Sequence, residues 1–260
     1  MRIPYSISKS GMKAQQQKLD ALAHNIANVN TAGFKQKNVS FRELLVNDIT
    51  EQDTLLSAEV NAAGLNRGVQ SSVNGTDFST GSLIESADNL SLTVNGEGFF
   101  GVTDNAGNLV LTKDGQFTLD EGNRLVNRRG QLVNADLTVP REAWPEGELT
   151  VSSEGNLLVK TTEGDVQVGR IPLYTVENPQ ALIPTGDNNF MVSPEQQATL
   201  TNSIDNPAAF GTFMSGVYEE SNVDLAQSFT DMIMTQRAYS LNAQVTRSTD
   251  EIQSLINQFS

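Results

Sequence analysis

Few residues in this 260-residue chain could carry acid–base or nucleophilic chemistry. His24 is the only histidine and there is no cysteine. Disulfides, thiolate metal sites, a Cys nucleophile and His-rich zinc sites are therefore excluded. A Ser-His-Asp triad would have to use His24, beside Asn25 in a helical stretch with no rigid nucleophile turn. His24 reads instead as a polar helix-surface or inter-subunit residue. Gly96 to Gly98 is a bare GxG, without the Lys-Ser/Thr pair of a phosphate loop or the spacing of a dinucleotide fingerprint, and reads as a turn. The Asp-Gly and Glu-Gly pairs do not fit a calcium loop. Paired carboxylates for glycoside hydrolysis depend on spatial separation, so the acids leave that option open. The expectation is no catalytic residue, no cofactor, no metal and no small-molecule substrate.

Charge sorts the partners. The chain has 31 acids against 17 Lys and Arg, a net charge of −14. Residues 43–218 hold eight bases and 24 acids, residues 1–42 seven bases and one acid, and residues 219–260 two Arg and six acids. Phosphate binding wants clustered Lys and Arg, so nucleic acid is not an expected partner. The two ends of the chain have opposite sign and would attract if laid side by side. No apolar h-region follows Arg2, and no run of 18 apolar residues occurs. Neither a cleavable secretory signal nor a membrane span is expected, and export would need another route.

Two stretches must position whatever function exists. From Ser221 to Ser260 apolar residues recur at helical spacing, among them Phe229, Met232, Ile233, Tyr239, Val245 and Ile252. Ser221 and Asp224 have capping-box spacing, which starts the predicted helix near Asn222. Near the N-terminus Met12, Leu19 and Ile26 are seven apart, and Leu22 and Val29 lie three beyond the latter two, a heptad seam. That helix should stop near Asn30, where Gly33 suits a C-terminal cap. Asn25, Asn28, Asn30, Thr31 and Gly33 are expected to build the tight exit, with side-chain amides serving backbone groups. Neither stripe can be buried by its own helix, and both are assigned to an assembly interface.

Between them the texture changes. Phe41, Leu44, Leu45 and Ile49 suggest a short helix inside an otherwise extended connector. From Ser82 to about Phe210 short β-type runs alternate with turn residues at Asn105–Asn108, Asp114-Gly115, Glu121–Asn123, Arg129-Gly130 and Glu154–Asn156, the spacing of an all-β domain. The predicted fold is α+β. An N-terminal assembly helix (1–35) is followed by a connector (36–80) and an inserted all-β domain (81–211), and a C-terminal helix (212–260) pairs with the first as one coiled-coil-like module.

The run Gly11-Met12-Lys13-Ala14-Gln15-Gln16, then Leu19-Asp20, then AHNIANVNTAGFK from Ala23 to Lys35, closely resembles the N-terminal signature of bacterial flagellar rod and hook proteins. SNVDLAQSFTDMIMTQRAYSLNAQV, from Ser221 to Val245, is similar to the C-terminal signature of the same family. GEGFFGV from Gly96 and TKDGQFTLDEGNRLV from Thr112 resemble the central β domain of its distal-rod and hook branch. The resemblance implies a non-catalytic structural subunit of the flagellar basal body. Such a subunit leaves through the flagellar type III export apparatus and polymerises helically, its terminal helices lining the export channel and its rod carrying torque to the hook. It further implies contacts with its own copies, other rod and hook subunits, and envelope ring or bushing proteins. Length favours the distal-rod branch over a proximal-rod or hook-type paralogue. On residue patterns alone, a secreted acidic β-domain binding module or an acidic hydrolase competes with this reading.

Overall fold

The structure is a computed structural model and describes residues 2–46, 65–104, 106–162, 164–207 and 210–259. The chain divides into two compact units. Met1–Ala27, Lys37–Thr76 and Asp224–Ser260 form the first; Asn28–Gln36 and Asp77–Val223 form the second.

In the first unit, helix α1 spans Arg2–Ala27 and helix α2 spans Leu225–Phe259. The 35 residues of α2 make it about 52 Å long at about 1.5 Å per residue. The helices lie against each other, but not along the expected apolar seam. The covered side of α2 carries small and hydroxyl residues: Ser228 and Thr235 are buried, and Ala238, Asn242, Ala243, Thr246 and Thr249 are half-buried. Three of these threonines return their hydroxyl to the carbonyl four residues back, so they can face a neighbouring helix with the donor satisfied. On α1, Ala14 is buried and Gly11 abuts Asn242, where a β-carbon would stand 3.1 Å from Nδ2. Small residues on both helices allow a close approach of their axes. The expected cap shifts as well. Asp224 accepts the Gln227 N–H at 3.0 Å and starts α2, whereas Ser221 accepts only from Val223, in a local turn before the helix. An Asp three residues before a free N–H caps as well as Ser does, and Ser221 lies outside the helix, which begins at Leu225.

Among the described residues the connector forms strands where a short helix was expected. Lys37–Val46 (β1) and Leu65–Thr76 (β2) form an antiparallel hairpin, with Phe41 opposite Ser71 and Val39 opposite Val73. Phe41, Leu44 and Leu45 therefore lie in a strand, and Ile49 lies outside the described residues. Local apolar spacing over so short a run suits either element, and a pairing partner some thirty residues on decides between them. The hairpin packs on α1: the Val69 N–H donates to Ser10 Oγ at 3.1 Å, and Lys18 Nζ stands 5.8 Å from the centre of the Phe41 ring.

The second unit is antiparallel β. Its largest sheet runs, in spatial order, Ile183–Gly186, Asn189–Met191, Leu109–Thr112, Phe99–Thr103, Leu132–Val133, Leu125–Asn127 and Phe117–Leu119. A four-stranded sheet orders Asp136–Leu137, Gly164–Arg170, Asn156–Thr161 and Glu148–Val151. The period-two alternation of a strand is visible at Phe99 and Phe100, which serve two different cores. Phe100 packs edge-on to Phe117 at 5.1 Å in the larger core with Leu92, Leu157 and Ile171; Phe99 meets Phe78 at 5.3 Å in the smaller core with Leu111 and Phe190. Turns fall where the sequence placed them, with left-handed backbone at Gly107, Asn123, Gly130 and Gly155. Asp114-Gly115 differs, because it is a buried connection: a β-carbon on Gly115 would stand 1.7 Å from the Leu92 carbonyl oxygen. Residues 212–219, expected to lead into the C-terminal helix, instead form strands Thr212–Ser215 and Val217–Glu219, paired with Leu92–Asn95 and Leu83–Glu85.

Candidate functional site

The sequence-predicted residues fall in two places, the helices of the first unit and the helix-exit segment held in the second. On α1, Leu22 is buried and Met12, Leu19 and Ile26 are half-buried within the first unit. Val29 lies beyond the helix, half-buried in the second unit, because α1 ends at Ala27 rather than near Asn30. On α2 the expected interface residues face outward: Phe229 is 47% exposed, Ile233 53%, Val245 50% and Ile252 51%. Tyr239 is exposed to a lesser degree, and Met232 is half-buried. Leu241, Leu255 and Ile256 extend the exposed apolar surface. Giving the α1 contact to small residues leaves the large apolar side chains of α2 without cover.

The exit from α1 is held by amides, as expected of its asparagines. Asn25 is fully buried and uses both ends of its amide on one residue: Nδ2 donates to the Lys37 carbonyl at 3.0 Å and Oδ1 accepts the Lys37 N–H at 2.9 Å. In the second unit, Thr31 donates its N–H to the Asn28 carbonyl and its hydroxyl to Asn28 Oδ1. Asn30 is exposed and lines a cleft with Thr31, Ala32, Asp114, Arg128 and Tyr218. Gly33 has φ +65°, and a β-carbon there would stand 2.4 Å from the Asp114 amide nitrogen, so only glycine fits. Its own N–H donates to the Glu219 carbonyl at 2.8 Å.

Three residues that sequence reasoning missed lock this segment. Lys35 Nζ lies 2.6 Å from Glu219 Oε1 and also donates to the Ser79 carbonyl at 2.7 Å. The same Glu219 oxygen accepts the Gly81 N–H at 2.7 Å. Asn222 accepts the Gln36 N–H at 2.8 Å and donates to the Asp77 carbonyl at 2.8 Å. Lys113 is buried beside them, its Nζ 5.0 Å from the centre of the Phe99 ring. Burial, reinforced by the positive charge of Lys35, lowers the Lys113 ammonium to about 8, with Glu219 and Glu97 pulling the other way. Burial likewise raises the Asp114 carboxyl. No periodicity announces such contacts, since the partners are far apart in sequence.

What the arrangement does chemically is hold chain segments together. His24 is on α1, where burial and then the charge of Lys37 lower its imidazole below the ordinary value. Among the described residues no group of His, Cys, Asp or Glu could hold a metal ion, and no helix is long and apolar enough to cross a membrane.

Comparison with known proteins matches three parts of the chain. Residues 7–35 match the family described as flagella basal body rod protein, residues 93–160 the flagellar hook protein FlgE/F/G D1 domain, and residues 214–259 the flagellar basal body rod FlgEFG protein C-terminal family. The chain is 30% identical over 261 residues to flagellar basal-body rod protein FlgG of Agrobacterium fabrum, covering 97% of each chain. It is 31% identical over 256 residues to the FlgG of Bacillus subtilis, covering 95% of this chain and 96% of that one. It is also 30% identical over 278 residues to the flagellar hook-basal body complex protein FlhP of Bacillus subtilis, with 93% of each chain covered.

Proposed function

The chain belongs to the flagellar basal-body rod protein family and is a structural subunit of the rod in the flagellar basal body, and we propose that it polymerises helically into the distal rod through its two terminal helices. In this reading the helices form the inner wall around the export channel, in coiled-coil-like contact between copies. The rod then transmits torque from motor to hook without catalysing any reaction. Its neighbours would be copies of itself, other rod and hook subunits, the flagellar type III export apparatus during delivery, and ring or bushing proteins of the envelope. Near-full-length agreement with FlgG relatives supports the distal position.

The observation that carries the reading is the outward apolar surface of α2. Phe229, Ile233, Leu241, Val245 and Ile252 are each about half exposed or more. Fully burying a side chain of this size contributes about 1.5–3 kcal/mol, which a rod subunit recovers when copies meet. Because α1 is largely covered within its own unit, we assign the contact between copies first to α2, with Met12, Leu19 and Ile26 completing it from their exposed edges. Concentrating the purified chain and following it by sedimentation and negative-stain electron microscopy tests this. The expected result is filaments from the wild type and none from Ile233→Asp or Val245→Asp. Filaments of wild-type form from both variants would overturn the assignment.

A further inference from the structure

Arg170 ends the strand Gly164–Arg170 in the second unit and lines a cleft of about 380 Å³ with Leu173, Ser203, Phe210 and Phe213. That volume lies within the roughly 300–1,000 Å³ of small-ligand sites. The apolar walls are fixed in place. Leu173 and Phe213 are buried and Phe210 is half-buried. The Phe213 N–H donates to the Ser153 carbonyl at 3.0 Å and the Gly211 N–H to the Glu97 carbonyl at 2.9 Å, which pins the segment carrying both rings. Gly155 makes room for one of them, since a β-carbon there would stand 2.5 Å from Phe213 Cε2.

Arg170 and Ser203 bring unused donors to these walls. Arg170 Nε is buried without a hydrogen-bond acceptor. Among the described residues the ion pairs are Lys35–Glu219, Arg124–Asp120 and Arg129–Asp187, so the guanidinium has no counter-ion either. Two acids are near it in the fold. Asp136 stands opposite Arg170 in the strand register without pairing to it, and Glu154 lines the cleft but accepts from Asn156 Nδ2 at 3.2 Å. Ser203 is buried and its Oγ accepts the Leu173 N–H at 2.9 Å, which leaves the hydroxyl proton to donate. A buried donor without an acceptor costs about 1–3 kcal/mol, and more when charged. A ligand that supplies the acceptor recovers that cost.

We propose that this cleft binds a carboxylate attached to an aromatic or branched apolar group, with the carboxylate on Arg170 and Ser203 and the apolar group against Leu173, Phe210 and Phe213. A guanidinium is matched by a carboxylate better than by a neutral acceptor, because the two planar groups share charge-assisted hydrogen bonds. A small apolar acid and the C-terminal residue of a peptide present the same chemistry. The site lies within the second unit and does not rest on the rod-subunit reading.

The test titrates the full chain, followed by amide nuclear magnetic resonance, with 3-phenylpropionate, with its neutral amide, and with a tripeptide ending in phenylalanine with a free carboxylate. The acid should shift the amides of Arg170, Ser203 and Phe213 and bind about ten-fold or more tightly than its amide. The Arg170 side chain gives up no hydrogen bond within the chain, so Arg170→Met should keep the denaturant midpoint and lose about ten-fold or more in affinity for the acid. Glu154→Gln removes an exposed carboxylate from the cleft and should tighten binding of the acid, which tests the charge by a variant that leaves Arg170 in place. Tighter binding of the tripeptide than of the acid supports the site and assigns it to a chain terminus; equal or weaker binding of the tripeptide supports it as a site for a small acid. The proposal is overturned if no probe shifts those amides, if acid and amide bind alike, or if Arg170→Met binds the acid as the wild type does.

Discussion

Lys35 and Glu219, 184 residues apart in the chain, form a 2.6 Å ion pair with side chains only 1% and 2% exposed. The pair ties the segment that leaves the first helix to the strand that leads toward the last. Both partners have further hydrogen bonds, Lys35 to backbone carbonyls and Glu219 from the Gly81 N–H, which is what a buried pair needs to offset desolvation.

Removing one partner strands the other charge. Lys35→Met is expected to lower unfolding free energy by about 3–5 kcal/mol. Lys35→Met/Glu219→Gln keeps the acceptor for Gly81 without the charge and should recover a large part of that loss. A double-mutant cycle by urea denaturation reads the coupling, and additive losses would show that the pair is not acting as a unit.

Lys113 gives the second unit an alkaline signature. Its ammonium titrates near 8 when folded, against an ordinary value of 10.5. Between those values the unfolded chain holds the proton and the folded chain does not, so stability rises with pH there and is flat below about 8. The full span corresponds to roughly 3 kcal/mol. Tyr174, whose phenol burial raises above 10.0, opposes the trend above that pH. Denaturant midpoints from pH 8 to 10 should therefore climb in the wild type and lose that slope in Lys113→Met.

Gly33→Ala should cost more than about 2 kcal/mol, combining a left-handed backbone with a clash against the peptide at Asp114. Thermal unfolding checks it, and an unchanged midpoint would mean that the exit segment can move away from Asp114.

Stability and assembly should separate along the two helices. Leu22→Ala, at a buried position of α1, is expected to cost about 2–5 kcal/mol. Ile233→Asp, at a position 53% exposed, should leave monomer unfolding within about 0.5 kcal/mol of wild type while abolishing polymer. Equal losses of monomer stability would mean that α2 turns its apolar side inward in solution.

The helices and most β turns were legible because each rests on local information: apolar recurrence for α1 and α2, and Gly or Asn at left-handed positions such as Gly107, Asn123 and Gly155. The hairpin of β1 and β2 was not, because Phe41, Leu44 and Leu45 fit a helical turn as well as a strand until β2 supplies partners. Apolar recurrence identified the large residues of α2 but not which side meets α1. Gly11, Ala14 and Thr235 settle that by closeness of fit, a quantity that hydrophobicity does not measure. The lock of Lys35, Glu219 and Asn222 joins residues whose proximity exists only after the β unit has formed.

The division of the chain has a consequence in time. The first unit needs Met1–Ala27 and also Asp224–Ser260. At a synthesis rate of about 5–20 residues per second, the roughly 200 residues between these parts separate them by about 10–40 s. Through that interval α1 exists without its partner helix, with only the hairpin of Lys37–Thr76 from its own unit to pack on. The helix made earliest therefore belongs to the unit that is completed last, since that unit closes only once Asp224–Ser260 has been made.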